Sequence, residues 1–357
     1  MSTGSGRPGG LAAGDLDGDG RPEVLLAEED ARTGAAALVA VGLDGRTRWR
    51  HTFPGFDRGR PQWNWGGLTL WAPAHLTSKD RMDLYVMLRR STMHSDVSYA
   101  LDGRTGAVLW FGDQVPVAGQ PTWGFGGAPV ACADLEGTGL EQLVSLYPVC
   151  YYVVDGRRGE FVRTVDLAAQ TVLPGWAAYA VPVVADFLGN GSLQVYVPSP
   201  YVHGLLTPQG VAIWSAPAPA NLAGSQVGDF DGDGRLEIAR VFVPTGSEPG
   251  KIEFLDGATG KEKLPALSLP DPRGQALLAL DINGDGADEL LLRASPGRLG
   301  AVTARGGQAA LLWETALPAE PVWTIAAGSG DALQVIVGCE DGSLLGLGAG
   351  TRVPGTQ

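Results

Sequence analysis

The stretch GDLDGDGRPEVLLA, residues 14–27, places four acidic side chains within nine residues, just ahead of an apolar run. Its spacing, D-x-D-x-D-G-x-x-E, returns in DFDGDGRLEIARVFV from Asp229 and, with one Asn, in DINGDGADELLLRA from Asp281. Weaker copies begin at Asp134, Asp186, His75 and Ser329. Because self-similarity at a regular spacing marks a repeat architecture, the stretch predicts a fold built from copies of one unit.

A second motif alternates with the acidic one and has the form strand, Asp-Gly turn, strand. Examples are ALDGRTGAVLW at residues 100–110 and FLDGATGKEKL at residues 254–264. This pattern is the signature of a β-hairpin. Successive motifs start roughly 45 to 60 residues apart, which is the period typical of propeller blades. One unit is therefore predicted to hold four antiparallel strands, with the acidic loop between the first two.

The predicted fold is all-β: a seven-bladed β-propeller of four-stranded antiparallel blades over residues 11–357, after a flexible lead-in at residues 1–10. The 53 glycines and 25 prolines among 357 residues agree with a chain rich in turns and short strands. The last unit lacks a clear fourth strand, and the N-terminal residues are candidates to supply it. The blades are expected near residues 11–56, 63–113, 123–167, 177–217, 223–267, 275–317 and 322–353.

Composition excludes several classes of protein. The net charge is −13 and no Lys/Arg cluster is present, so nucleic acid is not an expected partner. No apolar run approaches the ~18 residues of a membrane span. The three cysteines, Cys132, Cys150 and Cys339, show no CxxC spacing, which argues against a thiolate zinc site. Cys132 and Cys150 fall on alternate strands of one blade, so free thiols are expected.

The acidic loops, together with the literal FGGAP at residues 125–129, resemble FG-GAP/VCBS repeats, as in the integrin α-subunit propeller. The hairpins resemble those of the PQQ-like propeller family. The resemblance implies a propeller fold and is weakly specific for function. It favours a binding or scaffolding module in a bacterial adhesion, surface or multidomain sensing system, either monomeric or part of a larger assembly.

The spacing of the acidic loops also predicts calcium sites. Positions 1, 3 and 5 alternate oxygen ligands with spacers, Gly at position 6 permits a sharp turn, position 7 offers its carbonyl and position 9 adds a carboxylate. Such hard oxygen ligands suit Ca²⁺. The carboxylates would repel one another without a cation, and the sequence shows no obvious basic partner for them. Three structural ions are predicted, with these ligands: Asp15, Asp17, Asp19, Arg21, Glu23; Asp229, Asp231, Asp233, Arg235, Glu237; Asp281, Asn283, Asp285, Ala287, Glu289.

The remaining loops are weaker candidates for metal. The loop at Asp134 offers fewer anionic ligands, in a set made of Asp134, Glu136, Thr138 and Gln142. The loop at Asp186 has Leu188 at position 3. The loops at His75 and Ser329 have lost the pattern, and a turn held by its own hydrogen bonds is expected there.

A partner surface is predicted on the face opposite the calcium loops. Aromatic residues collect near the blade connections, and the segment LRRSTMHSDVS forms the longest expected loop between second and third strands. Aromatic rings with Arg and His suit a protein or glycan ligand, although tryptophans wedged between blades are an alternative explanation. The candidate residues are Trp63, Trp65, Arg89, Arg90, His94, Trp123, Trp176, Tyr201 and His203.

Enzymatic activity is not expected from the sequence. The four histidines form no HExxH spacing, and neither a GxSxG elbow nor a P-loop is present. Two alternatives stay open: a carbohydrate-active enzyme resembling polysaccharide lyases with calcium propellers, and an intracellular protein-interaction domain. Calcium loops of moderate affinity favour an extracellular or cell-surface location. Residues 1–10 lack the apolar segment of a signal peptide, which leaves the cytoplasm as the other possibility.

Overall fold

The computed structural model describes residues 11–29, 36–53, 65–90, 97–112, 130–147, 150–167, 182–198, 202–217, 221–327 and 334–348. Throughout these ranges the regular structure is β-strand, and the strands form seven antiparallel sheets arranged as the blades of a β-propeller. The predicted fold class is therefore confirmed. In the same ranges no helix has the length and apolar character to span a membrane.

By their internal contacts, residues Met1–Val184 with Pro208–Gly210 form one compact unit, and Ala185–Thr207 with Val211–Gln357 form another. Blades 1 to 3 lie in the first unit, each with four strands in sequential order. Their strands are β1 (Leu11–Gly14), β2 (Glu23–Glu29), β3 (Ala36–Gly42), β4 (Thr47–Thr52); β5 (Trp65–Ala74), β6 (Asp83–Arg90), β7 (Val97–Leu101), β8 (Val108–Gly112); β9 (Val130–Ala133), β10 (Gln142–Tyr147), β11 (Cys150–Asp155), β12 (Glu160–Asp166).

Blades 4 to 7 follow in the same order, and blade 7 has three strands within the described residues. The predicted contribution of residues 1–10 to that blade lies outside them. The strands are β13 (Val183–Ala185), β14 (Gln194–Pro198), β15 (Val202–Leu206), β16 (Ala212–Pro217); β17 (Leu222–Gly228), β18 (Glu237–Phe242), β19 (Gly250–Asp256), β20 (Glu262–Leu269); β21 (Arg273–Leu280), β22 (Glu289–Ser295), β23 (Arg298–Thr303), β24 (Ala310–Ala316); β25 (Pro321–Ala327), β26 (Gln334–Cys339), β27 (Leu344–Gly348).

The apolar core lies between successive blades of each unit. Strands β2 and β3 face β6 and β7 through a cluster that includes Leu25, Leu38, Leu84 and Val86, all fully buried. Similar clusters join blades 2 and 3, 5 and 6, and 6 and 7. The cysteines Cys132, on β9, and Cys150, on β11, are free thiols as predicted. Burial of both faces of the middle strands explains why segments such as Ala36–Gly42 and Glu237–Phe242 read as largely apolar runs in sequence.

Tryptophans of one blade pack against the Asp-Gly hairpin of the next blade. The indole Nε1 of Trp49 donates to the carbonyl of Gly103 at 2.6 Å, and Trp110 does the same to Gly156 at 2.7 Å. The ring of Trp49 covers Gly106, where a Cβ would lie 2.6 Å from Cε3, at a φ of +69°. Only glycine combines that backbone conformation with such a close approach, which explains the second Gly of the motif.

Candidate metal centres

Each acidic loop connects the first two strands of its blade and is organised by the aspartate at position 1. In blade 1, Asp15 Oδ1 accepts hydrogen bonds from the N–H groups of Gly18 and Asp19 at 2.8 and 3.1 Å, and Oδ2 accepts from Gly20 at 2.9 Å. Gly18 and Gly20 have φ of +82° and +83°. The glycines therefore supply the left-handed conformation that wraps the backbone around this carboxylate.

Position 9 carries a glutamate whose Oε2 accepts the N–H of position 2 in all three predicted calcium loops. Glu23 accepts from Leu16 at 3.1 Å and Glu237 from Phe230 at 2.9 Å. Burial, together with the neighbouring aspartates, raises the pKa of Glu23, and the same causes raise the pKa of Glu289 to about 7. These glutamates are buried acceptors that need a compensating positive charge.

The loop of blade 1 has the donor set that a calcium ion requires. Carboxylate oxygens of Asp15, Asp17 and Asp19 lie within 4.8 Å of one another. In the described part of the chain, the one cation within 4.0 Å of the four carboxylates is Arg48, whose Nε is 3.9 Å from Glu23 Oε1. Four carboxylates and a carbonyl are all-oxygen ligands of the kind Ca²⁺ prefers, so these residues suit the predicted ion.

The loop of blade 5 contains a cation of its own. Carboxylate oxygens of Asp229, Asp231 and Glu237 lie within 4.8 Å of one another. The Nζ of Lys263, on β20, is 2.7 Å from Asp233 Oδ2, 2.7 Å from Glu237 Oε1 and 3.1 Å from Asp231 Oδ2. The sequence-based expectation of no basic partner is therefore wrong for this loop. An alignment of the hairpins could have predicted this basic partner. Lys263 precedes Leu264 on the fourth strand of blade 5, just as Arg48 precedes Trp49 on the fourth strand of blade 1.

The loop of blade 6 is partly compensated by side-chain donors. Asn283 Nδ2 lies 3.2 Å from Asp285 Oδ2 and 3.0 Å from Glu289 Oε1. Arg305 Nη1 lies 2.6 Å from Asp285 Oδ1 and also donates to the Asp285 carbonyl. The position-7 residue, Ala287, is buried. This loop therefore offers a cation fewer unpaired oxygens than the loop of blade 1.

A glutamine closes the corresponding loops of blades 3 and 4. Gln142 Oε1 accepts the N–H of Leu135 at 2.8 Å, while its Nε2 donates to the position-7 carbonyl of Leu140 at 3.0 Å. In blade 4, Gln194 Oε1 accepts the N–H of Leu188 at 3.1 Å, and its Nε2 donates to the position-7 carbonyl of Ser192 at 2.6 Å. In the weaker predicted metal set, Asp134 is again the backbone acceptor and Glu136 is exposed. In both loops the glutamine side chain thus donates a hydrogen bond to the position-7 carbonyl, which would otherwise be free to bind a metal ion.

The loop of blade 2 is closed by an arginine. Arg81 Nη1 contacts Asp83 Oδ1 at 2.6 Å, and Arg81 Nη2 contacts Asp102 Oδ2 at 3.0 Å. Thr77 donates to Asp83 Oδ2 from both its N–H, at 2.9 Å, and its hydroxyl, at 2.5 Å. The prediction of a turn held by its own hydrogen bonds is confirmed for the loop at His75. The start of its counterpart at Ser329 lies outside the described residues.

The acidic loops also join successive blades. The carbonyl of Asp15 accepts the N–H of Met82 from blade 2 at 2.9 Å, and that of Asp229 accepts the N–H of Asp288 from blade 6 at 2.7 Å. The Asp288 carboxylate in turn accepts a hydrogen bond from the Asp229 N–H at 2.9 Å. A change in the conformation of one loop would therefore alter its hydrogen bonds to the neighbouring blade.

The predicted partner residues are for the most part outside the described structure, and the side chains of Trp65, Arg89 and Arg90 are not described. Arg90 is the last residue of β6 and pairs with Trp65 of β5, so these residues lie on strands rather than in a long loop. His203 is 1% exposed and belongs to the interior rather than a surface. The residues outside the described ranges are Trp63, His94, Trp123, Trp176 and Tyr201.

His203 belongs to a buried polar cluster that sequence reasoning missed. Its Nε2 is 3.0 Å from Arg240 Nη1, and Arg240 Nη2 is 2.5 Å from Glu253 Oε2. Burial, with the guanidinium of Arg240 beside the ring, lowers the pKa of His203 to about 4. The imidazole is therefore neutral at physiological pH and accepts the arginine hydrogen bond.

No family model and no curated protein matches the chain. Solved structures match across nearly its whole length at low identity. A Bacillus licheniformis rhamnogalacturonan lyase PL11 is 16% identical with a TM-score of 0.59, covering 95% of this chain and 71% of the lyase. The BBS1N chain solved in complex with ARL6DN is 12% identical with a TM-score of 0.67, covering 99% of this chain and 95% of BBS1N.

A third match, the Dos1 propeller, is 10% identical with a TM-score of 0.58 over 96% of this chain and 78% of that one. At such identities the likeness shows the fold alone, and the resemblance to FG-GAP/VCBS repeats is supported only as far as the propeller. The prediction against an enzyme is corrected by these matches. Two further rhamnogalacturonan lyases share the fold at 15–16% identity, so the architecture is compatible with catalysis as well as with binding.

Proposed function

We propose that this chain is a calcium-stabilised β-propeller that serves as a binding or scaffolding module for a protein or a glycan. One observation carries the calcium part of the proposal. In blade 1, oxygens of Asp15, Asp17 and Asp19 converge within 4.8 Å beside the buried Glu23. Among the described residues, the cation within 4.0 Å of these carboxylates is Arg48, which stays 3.9 Å from Glu23 and is also paired with Asp44 at 3.3 Å.

Calcium at this loop would neutralise the carboxylates that the backbone gathers. The ligands would be Asp15, Asp17, Asp19, Glu23 and the carbonyl of Arg21. Because the same loop accepts the N–H of Met82 and contacts Arg104 of blade 2, a rigid loop also secures the joint between the two blades. Its role is therefore structural: it holds the blades that carry a recognition surface.

The partner class is the second part of the proposal. BBS1N, whose structure matches 99% of this chain, was solved in complex with ARL6DN, which supports a protein partner. Calcium loops of moderate affinity favour extracellular calcium, and hence a role at a cell surface in adhesion or sensing. The test is a binding screen of the chain against glycan arrays and candidate surface proteins, with calcium and with chelator. If the chain binds no glycan and no candidate surface protein, this part of the proposal is refuted.

A second candidate is an enzyme that acts on an acidic polysaccharide. Three solved rhamnogalacturonan lyases match 95–96% of this chain, with TM-scores of 0.56 to 0.59. Incubation with rhamnogalacturonan, followed by the ultraviolet absorbance of an unsaturated product, distinguishes the two. Product formation that is lost on chelation would assign the chain to the enzymes, whereas saturable binding without product supports the module.

The calcium part is tested by thermal unfolding with calcium and with EGTA. Calcium at 100-fold its Kd should add about 2.7 kcal/mol to the free energy of unfolding per site. Asp17→Asn should remove the calcium-dependent increase. Glu28→Gln, an exposed carboxylate on β2 of the same blade, should leave it intact. An identical melting curve of the wild-type chain in calcium and in EGTA would contradict the proposal.

A further inference from the structure

We propose that Lys263 is a built-in cation that closes the acidic loop of blade 5 in place of a calcium ion. The inference rests on the proposed calcium site of blade 1, which is the standard of comparison. Lys263 lies on β20, the fourth strand of blade 5, and its Nζ contacts three carboxylates at 2.7 to 3.1 Å. Those carboxylates belong to Asp231, Asp233 and Glu237, which stand at positions 3, 5 and 9 of the loop.

The Lys263 ammonium has as many N–H donors as this loop has carboxylates within reach, and its position suits all three. It has three N–H donors and no acceptor, and here one carboxylate oxygen lies within reach of each donor. A calcium ion would take the same lone pairs at about 2.3 to 2.6 Å. The two cations would repel each other at such separation, so the loop holds one or the other.

Blade 1 shows why the same fold leaves one loop open and closes another. Arg48 occupies on β4 the register that Lys263 occupies on β20, each just before the residue that pairs with the third strand. In blade 1, Asp44 of the hairpin turn holds Arg48 at 3.3 Å. In blade 5, the acid of the hairpin is Asp256, which stands at the register of Gly42 rather than that of Asp44 and accepts the N–H and hydroxyl of Thr259, at 2.8 and 2.7 Å. The lysine is therefore available to the loop.

Other blades use the same principle with other donors. The guanidinium of Arg81 contacts the position-9 carboxylate in blade 2, and the amides of Gln142 and Gln194 bind the position-7 carbonyls in blades 3 and 4. Each device replaces a metal contact by a side chain of the chain itself. Lys263 differs because it acts in a loop that keeps every acidic ligand. Its removal should therefore uncover a calcium site rather than abolish a turn.

Isothermal titration with calcium, on the whole chain, tests the proposal. Lys263→Met should bind one calcium ion more per chain than the wild type, and it should be destabilised in EGTA and restored by calcium. Lys261→Met, an exposed lysine two residues away, is the matched control and should leave the stoichiometry unchanged. Unchanged stoichiometry in a folded Lys263→Met chain would overturn the proposal.

A second variant covers the case in which Lys263→Met fails to fold. Asp231→Asn in the wild-type chain should leave the calcium stoichiometry unchanged, and a loss of one ion would overturn the proposal. Asp17→Asn reports blade 1 separately. If it alone removes calcium while Lys263→Met gains none, the blade 1 site stands and the lysine proposal falls. If the wild-type chain binds no calcium while Lys263→Met binds one ion, the lysine proposal stands and the blade 1 site falls.

Discussion

Replacing Trp49 by Phe should test how strongly the tryptophan of one blade holds the hairpin of the next. The indole donates to the buried carbonyl of Gly103 at 2.6 Å, and the ring is 8% exposed. Loss of the donor leaves that carbonyl unpaired, at a cost of about 1–3 kcal/mol. The smaller ring also leaves a cavity, so the total loss in the free energy of unfolding should be about 2–4 kcal/mol.

Gly106→Ala probes the same contact from the other side. Its Cβ would lie 2.6 Å from the Trp49 ring at a φ of +69°, whereas Gly45→Ala, at +75°, meets nothing within 4 Å. Both variants incur the left-handed strain of about 1–2 kcal/mol. The clash should add about 1–3 kcal/mol for Gly106→Ala alone. Equilibrium urea unfolding measures each value, and Gly45→Ala serves as the matched control.

Coupling between the two positions decides the result. In a Trp49→Ala background, the clash is absent, and Gly106→Ala should cost no more than Gly45→Ala. The double-mutant cycle should therefore show a coupling of more than about 1 kcal/mol. If Gly106→Ala costs the same as Gly45→Ala in the wild-type chain, or if its effects add to those of Trp49→Ala, the docking explanation of the hairpin motif is refuted.

Three further predictions concern buried polar groups. The pKa of His203 is lowered to about 4, so the unfolded chain takes up a proton first, and the free energy of unfolding should fall by about 3 kcal/mol as the pH drops from about 6.5 to about 4. His203→Gln should flatten that part of a pH series of urea melts, and an unchanged slope would contradict the assignment. Gln142→Glu should replace the donor to the Leu140 carbonyl by an acceptor, destabilising the chain by about 1–3 kcal/mol in EGTA. The reciprocal Glu23→Gln should remove the calcium response of blade 1 and leave the chain folded; a full calcium response in Glu23→Gln would argue against a metal at that loop.

Local patterns were sufficient to predict the fold. The recurrence of the loop at Asp15, Asp229 and Asp281 identified the connection between the first two strands of a blade, because its turn depends on residues adjacent in sequence. The DG hairpins identified the other two strands in the same way. Both signals arise from short-range backbone geometry, in which glycines at fixed positions supply left-handed conformations. The seven-sheet architecture follows from counting them.

The charge balance of the loops could not be predicted by the same means. Lys263 reaches the loop at Asp229 from the fourth strand of the sheet, whereas Arg48 lies 3.9 Å from Glu23 and also pairs with Asp44. Both outcomes depend on which side chains meet across a sheet. His203 was predicted to lie on the partner surface together with Tyr201, yet it is 1% exposed and contacts Arg240 of the next blade. Contacts between strands, rather than along them, decided each of these cases.

Anomalous diffraction from crystals of the wild-type chain grown with calcium would test the central claim most directly. A calcium peak is expected among Asp15, Asp17, Asp19 and Glu23, and the Lys263 ammonium is expected among the carboxylates of blade 5. Blade 1 without a peak at saturating calcium, or a calcium peak in blade 5 with Lys263 displaced from its loop, would contradict this claim.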